Sequence, residues 1–335
     1  MSQPKPRATP PLKTLLVGAG AVGLSYGWYL AKAGCDVAYL VKPKYAAELS
    51  GGATLYFPKK RGVRDPQPFP AGPGGFRTLS TDDAVQRETW DYALLCVSAT
   101  ALRGEWLEPF LASLSDNTTL VMLTPGAEDL AYLAARFPRE RIIAGLISLV
   151  AWQSPLPGEP EHPPGVAVWF PPLTKLPFWG DPARTGPLVA ALEAGGAPAR
   201  AAGTTIRPGG PLASGILTTH VAALEGAGWT FAGLRKSPLK KLAAKAARQA
   251  MVVLARLQGR RAPVSRGLVR AGLVGFGLRV AASRMPFDFE VYLRYHFTKV
   301  RDQTAFSLAE LARIGTGREL PVDAIEALRL EVFGA

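Results

Sequence analysis

The 335-residue sequence holds two cysteines, Cys35 and Cys96, and three histidines. Two thiols support neither a disulfide framework nor a cysteine-ligated zinc site, so a reducing compartment, the cytoplasm, is expected. The histidines have no carboxylate or cysteine partners at ligand spacing, and no metal is expected. Long apolar runs are missing too. The first eleven residues are basic and proline-containing, unlike a signal peptide, and form an expected flexible tail. The most apolar stretch, residues 267–282, contains Arg270 and Arg279 and is short for a bilayer span. It reads as a buried or pocket-lining helix, and a soluble protein with no membrane partner is expected. Internal repeats, a Ser-centred elbow, a phosphate-loop lysine and a kinase signature are all absent from the sequence.

Acidic residues are in short supply: 26 Asp and Glu against 39 Lys and Arg, a formal charge of +13. Such a balance favours anionic partners. The excess is largely scattered arginine, with few basic runs among aromatics, and nucleic acid is not expected as a partner. Hydrophobic residues make up 48% of the chain, enough for about two packed domains.

Two regions of different character follow the tail. Short apolar runs at 14–17, 36–41, 92–97, 119–123 and 142–149 read as buried strands, with helical patterns at 21–33, 101–114 and 127–136. Strands alternating with helices imply a parallel sheet covered on both faces. The proline-dense region 153–187 suggests a late hairpin of strands at 166–170 and 176–179, before a helix at 188–194. The Gly/Pro stretch 207–211 is the linker candidate, and helices are predicted at 212–229, 239–257, 268–282, 287–314 and 322–332. The expected plan is an α/β domain over 12–204, built on a doubly wound parallel sheet, and an all-α domain over 205–335.

Gly18-Ala19-Gly20-Ala21-Val22-Gly23 lies between the first strand and the first helix, the context a dinucleotide-binding loop requires. Gly18 permits the tight turn, Gly20 admits the pyrophosphate, and Gly23 lets the helix pack on the strand. The helix N-terminus, through Ala21 and Val22, then offers amides to phosphate. At the tip of the second strand, where an NAD site carries an acid, stand Lys42 and Lys44. Asp36 lies at the other end, roughly 16 Å away for a five-residue strand. Two cations there favour the 2′-phosphate of NADP.

With these residues in place, the sequence resembles the ketopantoate reductase (2-dehydropantoate 2-reductase) family. The resemblance is carried by "LLVGAGAVGLSYGWYLAKAGCDVAYLVKPK", "DYALLCVSA", "TTLVMLTPG" and "RIIAGLISL". It implies a Rossmann-type domain followed by a helical substrate and dimerisation domain, with NADPH and an oxo acid between them. A homodimer is the expectation by this analogy. It also implies cofactor contacts at Val97, Ser98, Pro125 and Gly126. The family's lysine proton donor has no counterpart, for no lysine occurs between Lys175 and Lys236. Ser98 and Pro125 replace the usual lysine and asparagine, and Asp302 is the acid nearest the usual substrate-binding glutamate. The implied activity is therefore hydride transfer to a ketone or imine of a small molecule, with 2-dehydropantoate one candidate. The alternative is a non-catalytic NADP-binding sensor or scaffold.

Candidate proton donors come from the residues alone. His220, on the helix that opens the second domain, has the right titration range. Tyr292, His296, Lys299 and Gln303 are spaced i, i+4, i+7, i+11 and form one stripe if the helix is continuous. His296 and Lys299 are then catalytic candidates, with Tyr292, Gln303 and Asp302 toward substrate. Cys96, inside a central strand, reads as core.

Overall fold

The computed structural model describes residues 11–59, 65–124, 126–208 and 210–334. Pro125 of the candidate site lies outside the described residues, as does nearly all of the 1–11 tail. The strands are β1 (Lys13–Val17), β2 (Asp36–Leu40), β3 (Ala53–Tyr56), β4 (Pro66–Phe69), β5 (Phe76–Leu79), β6 (Tyr92–Leu95), β7 (Thr119–Met122), β8 (Ile142–Gly145), β9 (Val150–Ser154), β10 (Gly165–Trp169), β11 (Leu176–Trp179) and β12 (Ala199–Ala201). The α/β part carries α1 (Ala21–Lys32), α2 (Pro43–Glu48), α3 (Asp82–Gln86), α4 (Leu107–Ala112), α5 (Asp129–Ala134) and α6 (Pro182–Ala194). The helical part comprises α7 (Ser214–Gly226), α8 (Phe231–Lys236), α9 (Leu239–Leu257), α10 (Ala271–Arg284), α11 (Phe289–Lys299), α12 (Arg301–Thr316) and α13 (Asp323–Phe333).

The expected Rossmann-type sheet is present, eight strands in the order β12-β11-β8-β7-β6-β1-β2-β5. Its pairs are parallel except β8 with β11. Both faces are covered, as continuous apolar strands require: Leu16 enters the core under α1, while Leu15 and Val17 enter the core under α4 and α5.

A second sheet, β4-β3-β10-β9, corrects the predicted late hairpin. β10 pairs with β9 and β3, whereas β11 joins the main sheet beside β8 and β12. The reason lies in the alternation of side chains along these strands. Leu55, Ala151, Val166 and Val168 face the α1 core, and Tyr56, Trp152 and Ala167 face the core of the helical part. Prolines 66 and 68 confine β4 to the edge, where missing amides cost nothing.

In the helical part, α9 runs over the predicted residues and lays its alanines against α7. A Cβ on Gly215 would stand 2.8 Å from the Ala250 Cβ, so small residues set this close approach. Gln258, capping α9, donates to the carbonyls of Pro208 and Gly210 at 2.9 and 2.7 Å and so anchors the linker. The predicted helix over 287–314 is two helices, broken at Val300 (φ −119°, ψ 31°), which ends α11 and begins α12. The apolar helix expected to be buried or pocket-lining is α10; none of its residues is buried, but Ala271, Val274 and Leu278 line a small cavity against α8.

Candidate functional site

The glycine loop has the geometry its sequence requires. Gly18 sits at φ +96°, and its amide donates to the Leu40 carbonyl at 3.0 Å, tying the turn to the tip of β2. A Cβ on Gly23 would overlap the Gly18 carbonyl oxygen, so α1 can begin this close to β1 only with glycine there. Gly20 is different: a Cβ on it would meet nothing within 4 Å. It is the N-cap of α1 and makes no side-chain capping bond, and the first turn holds no acid. The amides of Ala21 and Val22, in the first turn of α1, have no partner within the helix, and the space beside Gly20 is open, a cradle suited to a diphosphate. A nicotinamide dinucleotide fits this set of donors. Val97, beyond β6, packs within 3.4 Å of the Gly18 Cβ position and backs the loop.

Past β2, Lys42 caps the short helix α2 and Lys44 follows one residue beyond Pro43. Both are exposed, and among the described residues neither pairs with an acid; Lys44 Nζ lies 4.6 Å over the Tyr45 ring. Asp36 is held at the far end of β2, opposite Lys13, where Arg77 reaches it at 3.3 Å.

The loops after β6 and β7 meet α12. Ser98 Oγ accepts from the Ala101 amide at 3.1 Å and is hydrogen-bonded to Thr100 Oγ1 at 3.0 Å. Thr100 Oγ1 donates to Asp302 at 3.1 Å. After β7, the Gly126 amide donates to the buried Asp129 carboxylate at 2.8 Å, and Asp129 pairs with Arg103. The Arg103 guanidinium also stacks on Phe306 of α12, 5.1 Å from the ring centroid. Glu310 on α12 accepts from the amides of Ala127 (2.8 Å) and Glu128 (3.3 Å). Burial pushes the Glu310 carboxyl up, against the two amides that hold it down.

Two clefts flank Gly126. The interdomain one, about 130 Å³, lies between the turn after β7, the start of α7 and α12; its polar lining includes Ser214, Thr218, Gln303, Thr304, Ser307 and Glu310. The larger, about 480 Å³, runs over the ends of β7 and β8 beneath the linker and is lined by Thr124, Trp179, Arg207 and Arg260 among others. The Thr124 hydroxyl is buried without a hydrogen-bond partner among the described residues.

The structure brings Ser98, Gly126, Asp302 and Gln303 together but not the other candidates. His220 faces away from this cleft, lining a small cavity with α8 and α10; its Nδ1 bonds the Ile216 carbonyl at 2.8 Å, and burial lowers its pKa. Because the helix breaks at Val300, the Tyr292–Gln303 stripe does not exist as one face. Tyr292 is buried among Trp152, Phe287 and Phe289, and His296 stacks on it with 5.4 Å between centroids. Lys299 lies over Tyr295, its Nζ 3.8 Å from the centroid. Burial and the neighbouring Lys299 drive the His296 pKa down to about 4, which leaves it neutral near pH 7. Glu310 and Ser307 were not foreseen. Counted forward from Gln303, they fall at i+7 and i+4, so carrying the same spacing past Gln303 finds them.

The architecture is a Rossmann-type, mostly parallel sheet followed by a helical part. Residues 14–175, just under half of the chain, match the sequence model described as ketopantoate reductase PanE/ApbA. Over the whole chain the fold is similar to that of a PanE/ApbA family ketopantoate reductase from Ralstonia eutropha (TM-score 0.66, 19% identity, covering 96% of this chain and 97% of that one). It is also similar to D-mandelate dehydrogenase solved with NADH and anilino(oxo)acetate (TM-score 0.65, 15% identity, 96% and 97%). A glycerol-3-phosphate dehydrogenase [NAD(P)+] of Streptomyces avermitilis is 30% identical over 118 residues, 35% of this chain and only 32% of its own length.

Proposed function

We propose that the protein is an NADPH-dependent reductase that reduces a ketone, 2-oxo-acid-like, or an imine of a small molecule. The observation that carries this reading is the open N-terminus of α1 at Gly20, with Lys42 and Lys44 exposed beyond β2 and free of acidic partners among the described residues. The loop amides hold the diphosphate, and the two ammonium groups meet the 2′-phosphate. When bound, NADPH supplies the hydride. The carbonyl substrate sits at Gly126, where the two clefts meet. Gln303 and Ser307 offer neutral donors to the oxygen as charge develops, and Arg207 and Arg260 match a carboxylate on the other side.

One observation favours a second reading, a non-catalytic NADP-binding protein: among the described residues lining the interdomain cleft there is no Lys, Arg or His. Oxidation of NADPH and NADH against a panel of 2-oxo acids, beside calorimetry with each nucleotide, separates the two. Turnover with preference for NADPH supports the reductase; tight NADPH binding with no turnover supports the sensor; no heat with either nucleotide sinks both.

A further inference from the structure

Helix α10 covers fourteen residues without burying one of them. Leu273, Phe276 and Val280 are 55%, 70% and 40% exposed, and in the preceding turn Val264 and Leu268 are 96% and 66% exposed. At 100° per residue Leu273, Phe276 and Val280 fall within about 60° of one another, a single outward stripe. Arg270 and Arg284 share that side at its two ends. The opposite side of α10, through Val274 and Leu278, packs toward α8. This is a contiguous apolar patch on a folded chain, which marks an interaction surface.

The charge around it is equally one-sided. Between Glu225 and Asp288 the sequence has thirteen Lys or Arg and no Asp or Glu. The rest of the chain holds 26 of each sign, so this segment accounts for the entire +13. Arg261, Arg266, Arg270, Arg279 and Arg284 are exposed, and among the described residues none of them pairs with an acid.

We infer that α10 and the turn before it form a docking surface for an anionic lipid bilayer, with the apolar stripe entering the interface and the arginines meeting lipid phosphates. An apolar face flanked by Lys and Arg has the chemistry of a helix lying in the headgroup plane. Among the described residues no helix is long and apolar enough to cross a membrane, so the association is peripheral. A second copy of the chain fits less well: antiparallel α10 pairing sets Arg270 against its partner's Arg284 with no acid to relieve the repulsion. Nucleic acid would use the arginines and leave Leu273 and Phe276 in water. The expectation of no membrane partner rested on residues 267–282 being short and carrying Arg270 and Arg279, which argues against a span and not against a helix lying in the headgroup plane.

Flotation of the full chain with vesicles of phosphatidylcholine, alone or with a third phosphatidylglycerol, tests this. The protein floats with the anionic vesicles only, and less so as salt rises. The double variant Leu273→Asp/Phe276→Asp loses at least about tenfold in vesicle affinity, with its melting temperature and NADPH binding unchanged. Arg270→Ala/Arg284→Ala, which spares every apolar side chain, loses roughly tenfold or more. Absence of flotation, equal flotation with neutral vesicles, or indifference to both variants overturns the inference. Conversion of a dimer to a monomer by the Asp variants without vesicle binding assigns the surface to a second copy; duplex DNA binding without vesicle binding assigns it to nucleic acid.

Discussion

The Thr100 hydroxyl donates to the Asp302 carboxylate at 3.1 Å, joining the loop after β6 to the first turn of α12. A few residues on, Glu310 receives the amides of the turn after β7. Two acids of one helix thus grip the loops that follow the adjacent strands β6 and β7. Replacing Asp302 with Ala frees the first grip at an exposed position and is expected to cost about 1 kcal/mol or less in stability. Because the loop it holds sits at the cleft, KM for substrate rises more than kcat falls; steady-state kinetics beside thermal melting check this.

Gly20 and Gly23 give opposite outcomes when changed to alanine. Gly20→Ala meets open space in the protein, so the melting temperature is unchanged while nucleotide affinity falls about tenfold or more, the methyl group standing where the diphosphate approaches. Gly23→Ala drives a methyl group into the Gly18 carbonyl, and both stability and binding fall. Calorimetric titration and melting curves on the two variants distinguish a ligand cradle from a purely structural turn.

Lys42→Ala/Lys44→Ala weakens NADPH binding about tenfold or more and leaves NADH binding within about twofold, since only one of the two nucleotides carries the extra phosphate. Equal losses for both would show that the lysines act as general surface charge.

His220→Ala leaves kcat within about twofold, because His220 lies away from the cleft against α8 and α10. The assay that measures NADPH oxidation checks it directly, and a hundredfold loss would return His220 to the reaction.

His296 stays neutral in the folded chain down to about pH 4, whereas in the unfolded chain it takes a proton near 6.5. The unfolded state therefore binds more protons as pH drops through this window, and folding stability falls between pH 6.5 and 4. With partial solvent contact the loss is roughly 1–2 kcal/mol. Chemical denaturation of the wild type and His296→Gln at pH 7 and pH 5 measures it; the variant loses less.

The fold was legible where one rule governs an element. β1, the glycine turn and α1 followed from apolar run and loop spacing, and α9 from its periodicity. β3, β4 and β9 escaped because each is four or five residues long, two prolines sit in β4, and their order depends on a partner far along the chain. The site was half legible. Gly18, Gly20 and Gly23 depend on local backbone, which sequence displays, whereas Glu310 depends on the amides of Ala127 and Glu128, far away in the chain, which only the packing of α12 on the turn after β7 brings to it. The burial of Tyr292 and the exposure of Phe276 likewise reverse what their helices suggest, because neighbours from other elements decide them.

The small sheet β4-β3-β10-β9 has a further consequence, since its alternate side chains serve two interiors at once. Trp152 lies against Phe287 with 4.5 Å between ring centroids, while its neighbour Ala151 points the other way, under α1. Neither half can melt while the other keeps its packing, so heating should produce one cooperative transition rather than two. A fragment cut at the linker would lay bare Tyr56 and Trp152 and come out of solution, which makes the folding unit the whole chain.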